Sequence, residues 1–183
     1  MKIMAKLFLV SGSSRLDKSI ILPYLKNKLR DGFDIHDFDE RLTTEVAMNS
    51  SLLDGWRKET TRYWIELAKE NNKLGKKTVV LGLIYPSEVR EFSGELEFNV
   101  CLLDANDEKI KERLMGNRFS NSHKVDGLKQ ATGKTPEEFI EENKILMQKL
   151  RVETAQVEGK IIDTTDSTPE QTADKLLISI LEN

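Results

Sequence analysis

The chain has 183 residues and a mass of 21.0 kDa, which suits one domain and is too short for two ordinary domains with separate cores. Charged residues make up 32% and hydrophobic residues 38%, a balance that excludes a disordered tail and a membrane protein. The net charge is -3, from 28 basic and 31 acidic residues, and offers no field for holding nucleic acid. We therefore expect one globular domain that binds neither nucleic acid nor a membrane.

The first predicted element is a strand over residues 3–10, an apolar run without the small-residue cleavage site of a signal peptide. The single cysteine, Cys101, has no partner for an internal disulfide, so we expect the protein in the reducing cytoplasm. Cys101 itself lies in the apolar run 98–103, and we interpret it as a buried structural thiol.

The apolar residues then alternate between strand and helix periodicity along the chain. Gly32 and Gly75 each stop a predicted helix, and a threonine–proline pair begins each of the last two helices. In chain order the elements are a strand at 3–10, a helix at 18–30, a strand at 33–38, a polar connection, a helix at 54–74, a strand at 78–84, a short helix at 87–92, a strand at 97–103, and then helices at 106–115 and 135–157, a strand at 160–163 and a last helix from 168 to about 181.

Apolar strands separated by helices predict a parallel sheet covered on both faces, that is, a three-layer α/β domain. In such folds ligands bind outside the carboxyl ends of the strands. The loops after Val10, Phe38, Ile84 and Leu103 are therefore where we expect the functional residues.

The loop between the first strand and the first helix partly matches the phosphate-binding pattern G-x-x-x-x-G-K-[S/T]. In that pattern backbone N–H groups surround the phosphates, the lysine reaches the β- and γ-phosphates, and the hydroxyl holds Mg²⁺. The eight residues are Gly12, Ser13, Ser14, Arg15, Leu16, Asp17, Lys18 and Ser19. Gly12, Lys18 and Ser19 are in register, whereas Asp17 replaces the second glycine.

Asp17 has a physical cost for phosphate binding. A carboxylate about 5 Å from one phosphate charge opposes binding by roughly 3 kcal/mol at an effective dielectric constant near 20, which is a hundredfold or more in affinity. Arg15 can offset part of this by pairing with Asp17 or by contacting the γ-phosphate. We expect weak ATP binding. The alternative is that the loop is only a tight turn in which Ser13 or Ser14 caps the helix.

With this loop in its strand–helix context, the chain resembles the P-loop small-molecule kinases of the nucleoside and nucleoside-monophosphate kinase group. The resemblance covers essentially the whole chain and implies a five-stranded parallel sheet in the order 2-3-1-4-5, with helices on both faces and a lid at about 116–135. It also implies the cofactors ATP, or another nucleoside triphosphate, and Mg²⁺. The phosphate loop is the only specific pattern, and it is the part that departs from the family.

The second predicted strand ends in an acidic loop. A phosphoryl transferase needs a carboxylate that orients the acceptor hydroxyl, takes its proton or holds Mg²⁺. An aspartate in this loop does so in similar kinases, and Asp39 is the best match, followed by Asp37. Charged residues at a strand end can equally be solvated. His36 we interpret as structural.

The long helix combines aromatic side chains with arginines. Arg57 and Arg62 are candidates for binding an anionic acceptor by bidentate contacts, with Trp56 stacking on a ring. An amphipathic helix with solvated arginines explains the same residues, and the sequence does not separate the two interpretations.

The region after the fourth strand supplies two further arginines. In kinases of this type, arginines at the end of this helix stabilise the charge on the transferred phosphoryl group, and the loop beyond closes over the site. Arg118 is the preferred match and Arg113 the second; Arg113 can instead pair with Asp107 or Glu108 on its own helix. No aspartate ends the apolar part of the third strand, so metal binding rests on Ser19 and Asp39.

The sequence therefore predicts an ATP-dependent phosphotransferase that acts on a nucleoside, a nucleotide or another small hydroxylated acceptor. Lys18 would bind the phosphates, Ser19 the Mg²⁺, Asp39 the acceptor and Arg118 the developing charge. The alternative is a noncatalytic protein that keeps the kinase fold to bind a nucleotide or a partner. The sequence indicates neither the acceptor nor the oligomeric state.

Overall fold

The computed structural model describes residues 6–12, 18–29 and 31–182, and it contains the predicted alternation of strands and helices. The five strands are β1 (Leu7–Ser11), β2 (Phe33–Asp37), β3 (Lys77–Gly82), β4 (Phe98–Asp104) and β5 (Lys160–Asp163). The helices are α1 (Lys18–Lys28), α2 (Thr44–Met48), α3 (Leu53–Lys73), α4 (Pro86–Ser93), α5 (Asp107–Arg118), α6 (Ser122–Thr132), α7 (Pro136–Gln156) and α8 (Pro169–Leu181).

The strands form one parallel sheet in the order β2-β3-β1-β4-β5, which confirms the predicted topology. Strand β1 lies at the centre, and every one of its residues is buried. Its side chains alternate between the two faces of the sheet, as strand geometry requires. Phe8 and Val10 belong to one apolar core, and Leu7 and Leu9 to the other.

The two cores make this a three-layer fold. The core on one face includes Ile21 and Leu25 of α1, Met147 of α7 and Leu176 of α8. The core on the other face packs against α3 and α4, through side chains such as Trp64 and Val89. Cys101 is 5% exposed within the first core, which confirms its prediction as a buried thiol, and burial raises its pKa.

Strand β3 ends at Gly82, two residues before the predicted end. Gly82 pairs with Ser11, the last residue of β1, so no neighbouring strand continues beyond it. The Ser11 hydroxyl instead donates to the carbonyl oxygen of Ile84 at 2.6 Å and accepts from its N–H at 3.3 Å. The side chain that ends β1 thus replaces the missing strand partner.

The connection after β2 is more regular than its polar sequence predicted. It contains a 3-10 turn at Phe38–Arg41, the helix α2 and a second 3-10 turn at Ser50–Leu52. Asp37, Thr43 and Asn49 cap these pieces with their side chains. Neither α2 nor the second turn has a buried residue, so hydrophobic periodicity could not reveal them.

The part of the chain predicted as a lid is helical over much of its length. Helix α6 begins after Asn121, whose side chain accepts from the N–H of Lys124, and it ends at Gly133 with φ of 72°. Leu128 and Phe119 contact the core on the α1 and α8 side. Closure of this segment over a site remains a prediction. None of the helices in the described residues is both long and apolar enough to span a membrane.

Candidate functional site

The first component of the site is the end of β1. Gly12 is buried, and its carbonyl oxygen accepts a hydrogen bond of 2.9 Å from Nζ of Lys18, the first residue of α1. Lys18 as a whole is partly exposed, and burial of its ammonium group lowers the pKa to about 8. The charges of Asp39 and Asp37 act in the opposite direction and favour the protonated form.

The second component is the turn at Phe38–Arg41, which we call the acidic turn. The Asp37 carboxylate accepts from the N–H of Asp39 at 2.9 Å, and the Glu40 carboxylate accepts from the N–H of Asp37 at 3.0 Å. These reciprocal bonds form a capping box that holds the turn together. The turn therefore carries Asp39 in a defined position at the carboxyl end of β2.

Lys18 and the two aspartates form one electrostatic group. Partial shielding from water raises the pKa of the Asp39 carboxyl, the neighbouring Asp37 raises it further, and Lys18 lowers it. Lys18 and Asp39 are therefore close enough for their charges to interact at the carboxyl edge of the sheet, where ligands bind in this class of fold. The structure brings together two of the residues that the sequence predicted for catalysis.

Gly82 determines how closely the acidic turn approaches the sheet. An ideal Cβ at Gly82 would lie 2.3 Å from Cβ of Phe38, a distance that real Cβ atoms do not adopt. Phe38 is 2% exposed and packs in the core beside α3. Only glycine permits this contact, so Gly82 and Phe38 together determine how close the turn that carries Asp39 lies to the end of β3.

We expect Gly82→Ala to destabilise the protein by about 1–3 kcal/mol, because the added methyl group forces Phe38 and the acidic turn to move. The matched control is Gly55→Ala in α3, where an added Cβ meets no atom within 4 Å and alanine is the better helix former. Urea denaturation measures both variants. Equal stability of Gly82→Ala and the wild type would contradict this packing.

The pKa of Lys18 predicts how phosphate binding depends on pH. Below pH 8 the ammonium is charged and can bind a phosphate; above pH 8 the unliganded protein loses that charge. Nucleotide affinity is expected to be about tenfold lower at pH 9 than at pH 7, since about one tenth of the groups remain protonated one unit above the pKa. Calorimetric titration across this range measures the change, and an affinity that stays constant to pH 9.5 would contradict it.

Arg57 and Arg62 lie in contacts within the protein. Arg57 donates to Asp54 at 2.7 Å and, through Nε and Nη2, to Glu88 at 3.2–3.4 Å, while its guanidinium lies 4.4 Å from the ring centre of Tyr85. The guanidinium of Arg62 lies 4.2 Å from the ring centre of Phe92. These contacts favour the structural interpretation of both residues, and acceptor binding by them remains a prediction.

Trp56 supports the acidic turn. Its indole N–H donates to the carbonyl oxygen of Arg41 at 3.1 Å, and its ring meets Phe38 edge to face at 5.6 Å. Stacking of Trp56 on an acceptor ring was one of the two interpretations that the sequence left open. The structure shows it packed against the protein's own turn.

A second polar network lies at the ends of β4 and β5. Arg113 donates to the hydroxyl of Thr164 at 3.0 Å and to its carbonyl oxygen at 2.7 Å, rather than to Asp107 or Glu108. The same Thr164 hydroxyl donates to the carbonyl oxygen of Asp104 at 2.8 Å. Arg113 therefore ties α5 to the loop after β5.

A bidentate pair between Arg151 of α7 and Asp104 of β4, not predicted from the sequence, joins these two elements. Both nitrogen–oxygen distances are 2.8 Å, and the hydrogen bonds to Asp104 raise the pKa of Arg151. Also not predicted was the role of Glu153 of α7, whose carboxylate accepts from the N–H and the hydroxyl of Ser87 at 3.1 and 2.8 Å. Glu153 thereby satisfies the first turn of α4, which has no side-chain cap of its own.

Several predicted site residues lie outside the described residues, namely Ser13, Ser14, Arg15, Leu16 and Asp17. The same holds for the side chains of Ser19 and Arg118, although their backbones belong to α1 and α5. Their roles remain predictions. Elsewhere in the described part of the chain, no three histidine, cysteine, aspartate or glutamate side chains are grouped so as to hold a metal ion.

Solved structures share the architecture of this chain, whereas no protein-family model and no curated protein sequence matches it. Among solved structures, a gluconokinase from Sinorhizobium meliloti 1021 is similar with a TM-score of 0.64 and 13% identity, covering 99% of this chain and 94% of that one. A sugar kinase from Janibacter sp. HTCC2649 has a TM-score of 0.59 and 20% identity, covering 97% and 95%.

A third similar structure is a shikimate kinase from Acinetobacter baumannii in complex with shikimate. Its TM-score is 0.59 at 18% identity, with 100% of this chain and 96% of that chain covered. At these identities the similarity concerns the fold, and it extends over nearly the whole of each chain.

Proposed function

We propose that this protein, which has the fold of the P-loop small-molecule kinases, is an ATP-dependent phosphotransferase. Its acceptor would be a nucleoside, a nucleotide or another small hydroxylated molecule. The donor is ATP or another nucleoside triphosphate. The similar structures include sugar, gluconate and shikimate kinases, so the similarity does not select one acceptor.

One observation supports this proposal above the others: a shielded lysine and a carboxylate share an electrostatic site at the carboxyl edge of a kinase-type sheet. Lys18 begins the helix that follows the central strand β1, and Asp39 lies in the turn after β2, which β3 separates from β1 in the sheet. Phosphoryl transfer requires a cation on the phosphates and a carboxylate near the acceptor hydroxyl. The two groups meet both requirements.

In the proposed reaction Lys18 binds the phosphates of the donor and stabilises the negative charge that develops on them as the bond breaks. The acceptor oxygen forms a bond to the γ-phosphorus while the bond to the bridging oxygen of ADP breaks, and Asp39 takes the proton of the hydroxyl. The raised pKa of Asp39 makes it a better proton acceptor than an ordinary aspartate. Arg118, with Arg113 behind it, is proposed to stabilise the charge on the transferred group.

Hydroxyl and carboxylate oxygens are ligands that Mg²⁺ prefers, and by residue type Ser19 and Asp39 would supply one of each. Bound there, the ion would neutralise part of the phosphate charge. The proposal assigns Ser19 and Asp39 as the residues that hold it.

The altered phosphate loop supports an alternative function. Asp17 adds a negative charge to the sequence of the loop that is expected to bind the phosphates. A protein in which this loop no longer supports transfer would use the fold to bind a nucleotide or a partner without catalysis. A release assay distinguishes the two functions.

The assay measures ADP release from Mg²⁺–ATP in the presence of separate panels of nucleosides, nucleotides, sugars and sugar acids. The proposal predicts acceptor-dependent release with one of these classes, accompanied by a phosphorylated acceptor in the mass spectrum. ATP binding without acceptor-dependent release from any panel would favour the noncatalytic function. The control without acceptor gives the rate of simple hydrolysis.

A further inference from the structure

His36 on β2 lies between two carboxylates, an arrangement that the proposed roles of Lys18 and Asp39 do not explain. Its Nδ1 is 3.0 Å from Oε2 of Glu40, within hydrogen-bond distance. Its Nε2 is 3.0 Å from Oδ1 of Asp34, without the alignment of a hydrogen bond, and is shielded from solvent. A charged imidazole has an N–H on each nitrogen and suits a carboxylate on either side.

Glu40 connects His36 to the acidic turn. One oxygen of Glu40 contacts His36 Nδ1, and the other accepts from the N–H of Asp37 at 3.0 Å. The Asp37 carboxylate accepts in turn from the N–H of Asp39 at 2.9 Å. An unbroken chain of polar contacts therefore runs from the imidazole to the backbone of Asp39.

The other neighbours hold His36 in place. The ring lies 4.7 Å from the ring of Trp64 at an angle of 32°, and Trp64 is itself 3% exposed in the core. On the far side, Asp34 accepts from Asn71 at 2.8 Å. Two polar contacts and the tilted ring of Trp64 thus surround the imidazole that contacts Glu40.

The groups around His36 favour the ionised forms of the Glu40 and Asp34 carboxylates. Burial opposes ionisation of Glu40, yet the N–H of Asp37 and the His36 ring hold its pKa below the ordinary value. The same balance lowers the pKa of Asp34, where His36 and Asn71 outweigh burial. Lys26 of α1 lies 3.9 Å from Glu40, and Lys76 adds a weaker positive charge near Asp34.

We propose that His36 is a positioning residue for the acidic turn: held between Asp34 and Glu40, its imidazole fixes Glu40 and, through Asp37, the backbone that carries Asp39. The consequence for catalysis rests on the proposed function, because the position of Asp39 affects a rate only if the protein transfers phosphate. The consequence for the structure of the turn is independent of that function. Loss of His36 frees Glu40 and loosens the hydrogen bonds of the turn while the sheet remains intact.

The test compares His36→Gln with the wild type by amide hydrogen exchange in NMR spectra. The N–H groups of Asp37 and Asp39 both donate within the turn, so their protection factors report on the chain directly. We expect both factors to fall about tenfold in His36→Gln, while those of Leu9 and Val80 in the central strands stay unchanged. A general loss of stability would lower all four.

Matched variants sharpen this test. Glu40→Gln should lower the same two protection factors, and the double variant should lower them no further, as expected for residues that act through one chain. The control is His123→Gln, the same change at the exposed histidine of α6, which should leave both factors unchanged.

The outcomes separate this inference from the proposed function. Unchanged protection of the Asp37 and Asp39 amides in His36→Gln would overturn the positioning role, whatever the enzyme does. If the wild type transfers phosphate, His36→Gln is expected to lower kcat about tenfold with little change in the KM for the nucleotide. A wild type without transfer would refute the proposed function and leave the exchange measurement decisive for His36.

Discussion

Lys18→Ala is expected to lower nucleotide affinity and kcat/KM by about a hundredfold or more. Its ammonium is the one cation that the described structure places directly after β1, shielded from water, where each charge interaction is worth more than in bulk solvent. Removing a charge about 4 Å from a phosphate forfeits about 3–4 kcal/mol at an effective dielectric constant near 20. Calorimetry measures the affinity and the ADP-release assay the rate.

The matched control for this variant is Lys28→Ala in the last turn of the same helix, whose ammonium lies 5.6 Å from the ring centre of Tyr24. It removes the same charge and should leave both quantities within about twofold. Circular dichroism establishes that each variant is folded. Full activity of Lys18→Ala would remove Lys18 from the phosphate site.

Asp39→Asn is expected to lower kcat by about a hundredfold to ten-thousandfold while the nucleotide still binds. The amide keeps the size of the carboxyl but cannot accept the proton of the hydroxyl, and it holds Mg²⁺ less well. The hydrogen bond that forms the turn uses the N–H of Asp39 rather than its side chain, so the acidic turn should persist. Steady-state kinetics with the acceptor found in the screen measure the effect.

Asp31→Asn is the control for this second variant, because Asp31 is exposed in the turn before β2 and is far along the strand from the acidic turn. We expect its kcat to match the wild type. A wild-type kcat for Asp39→Asn would show that another group takes the proton. A large loss of nucleotide affinity would instead place the main role of Asp39 in holding the metal.

The sheet was predictable because β1, β3 and β4 are mostly apolar runs and β2 alternates apolar with polar residues after Gly32. Gly75 with φ of 73° ends α3, and Pro136 begins α7 after the Thr135 cap, as their sequence positions indicated. The order of the strands came from the resemblance of the whole chain to a family. Neither source shows how tightly two elements approach, so the contact between Gly82 and Phe38 emerged only from the structure.

Long-range polar pairs were the least predictable part of the site. Arg151 and Asp104 are 47 residues apart, and Glu153 and Ser87 are 66 apart. From sequence alone, charged residues on a helix such as α7 are predicted to be exposed to solvent, because the packing of that helix is not known. The contacts of His36 are local and were hidden for a different reason: Asp34 and Glu40 become its partners only when β2 and the acidic turn are formed.

The claim on which the proposed function depends is that the loop ending at Lys18 binds a triphosphate despite Asp17. Calorimetric titration of Mg²⁺–ATP and Mg²⁺–GTP into the wild type and Asp17→Gly tests it most directly. Binding confined to the variant would favour the noncatalytic function. The proposal predicts weak binding to the wild type and about hundredfold tighter binding to Asp17→Gly. Absence of binding to both proteins at millimolar nucleotide would contradict it.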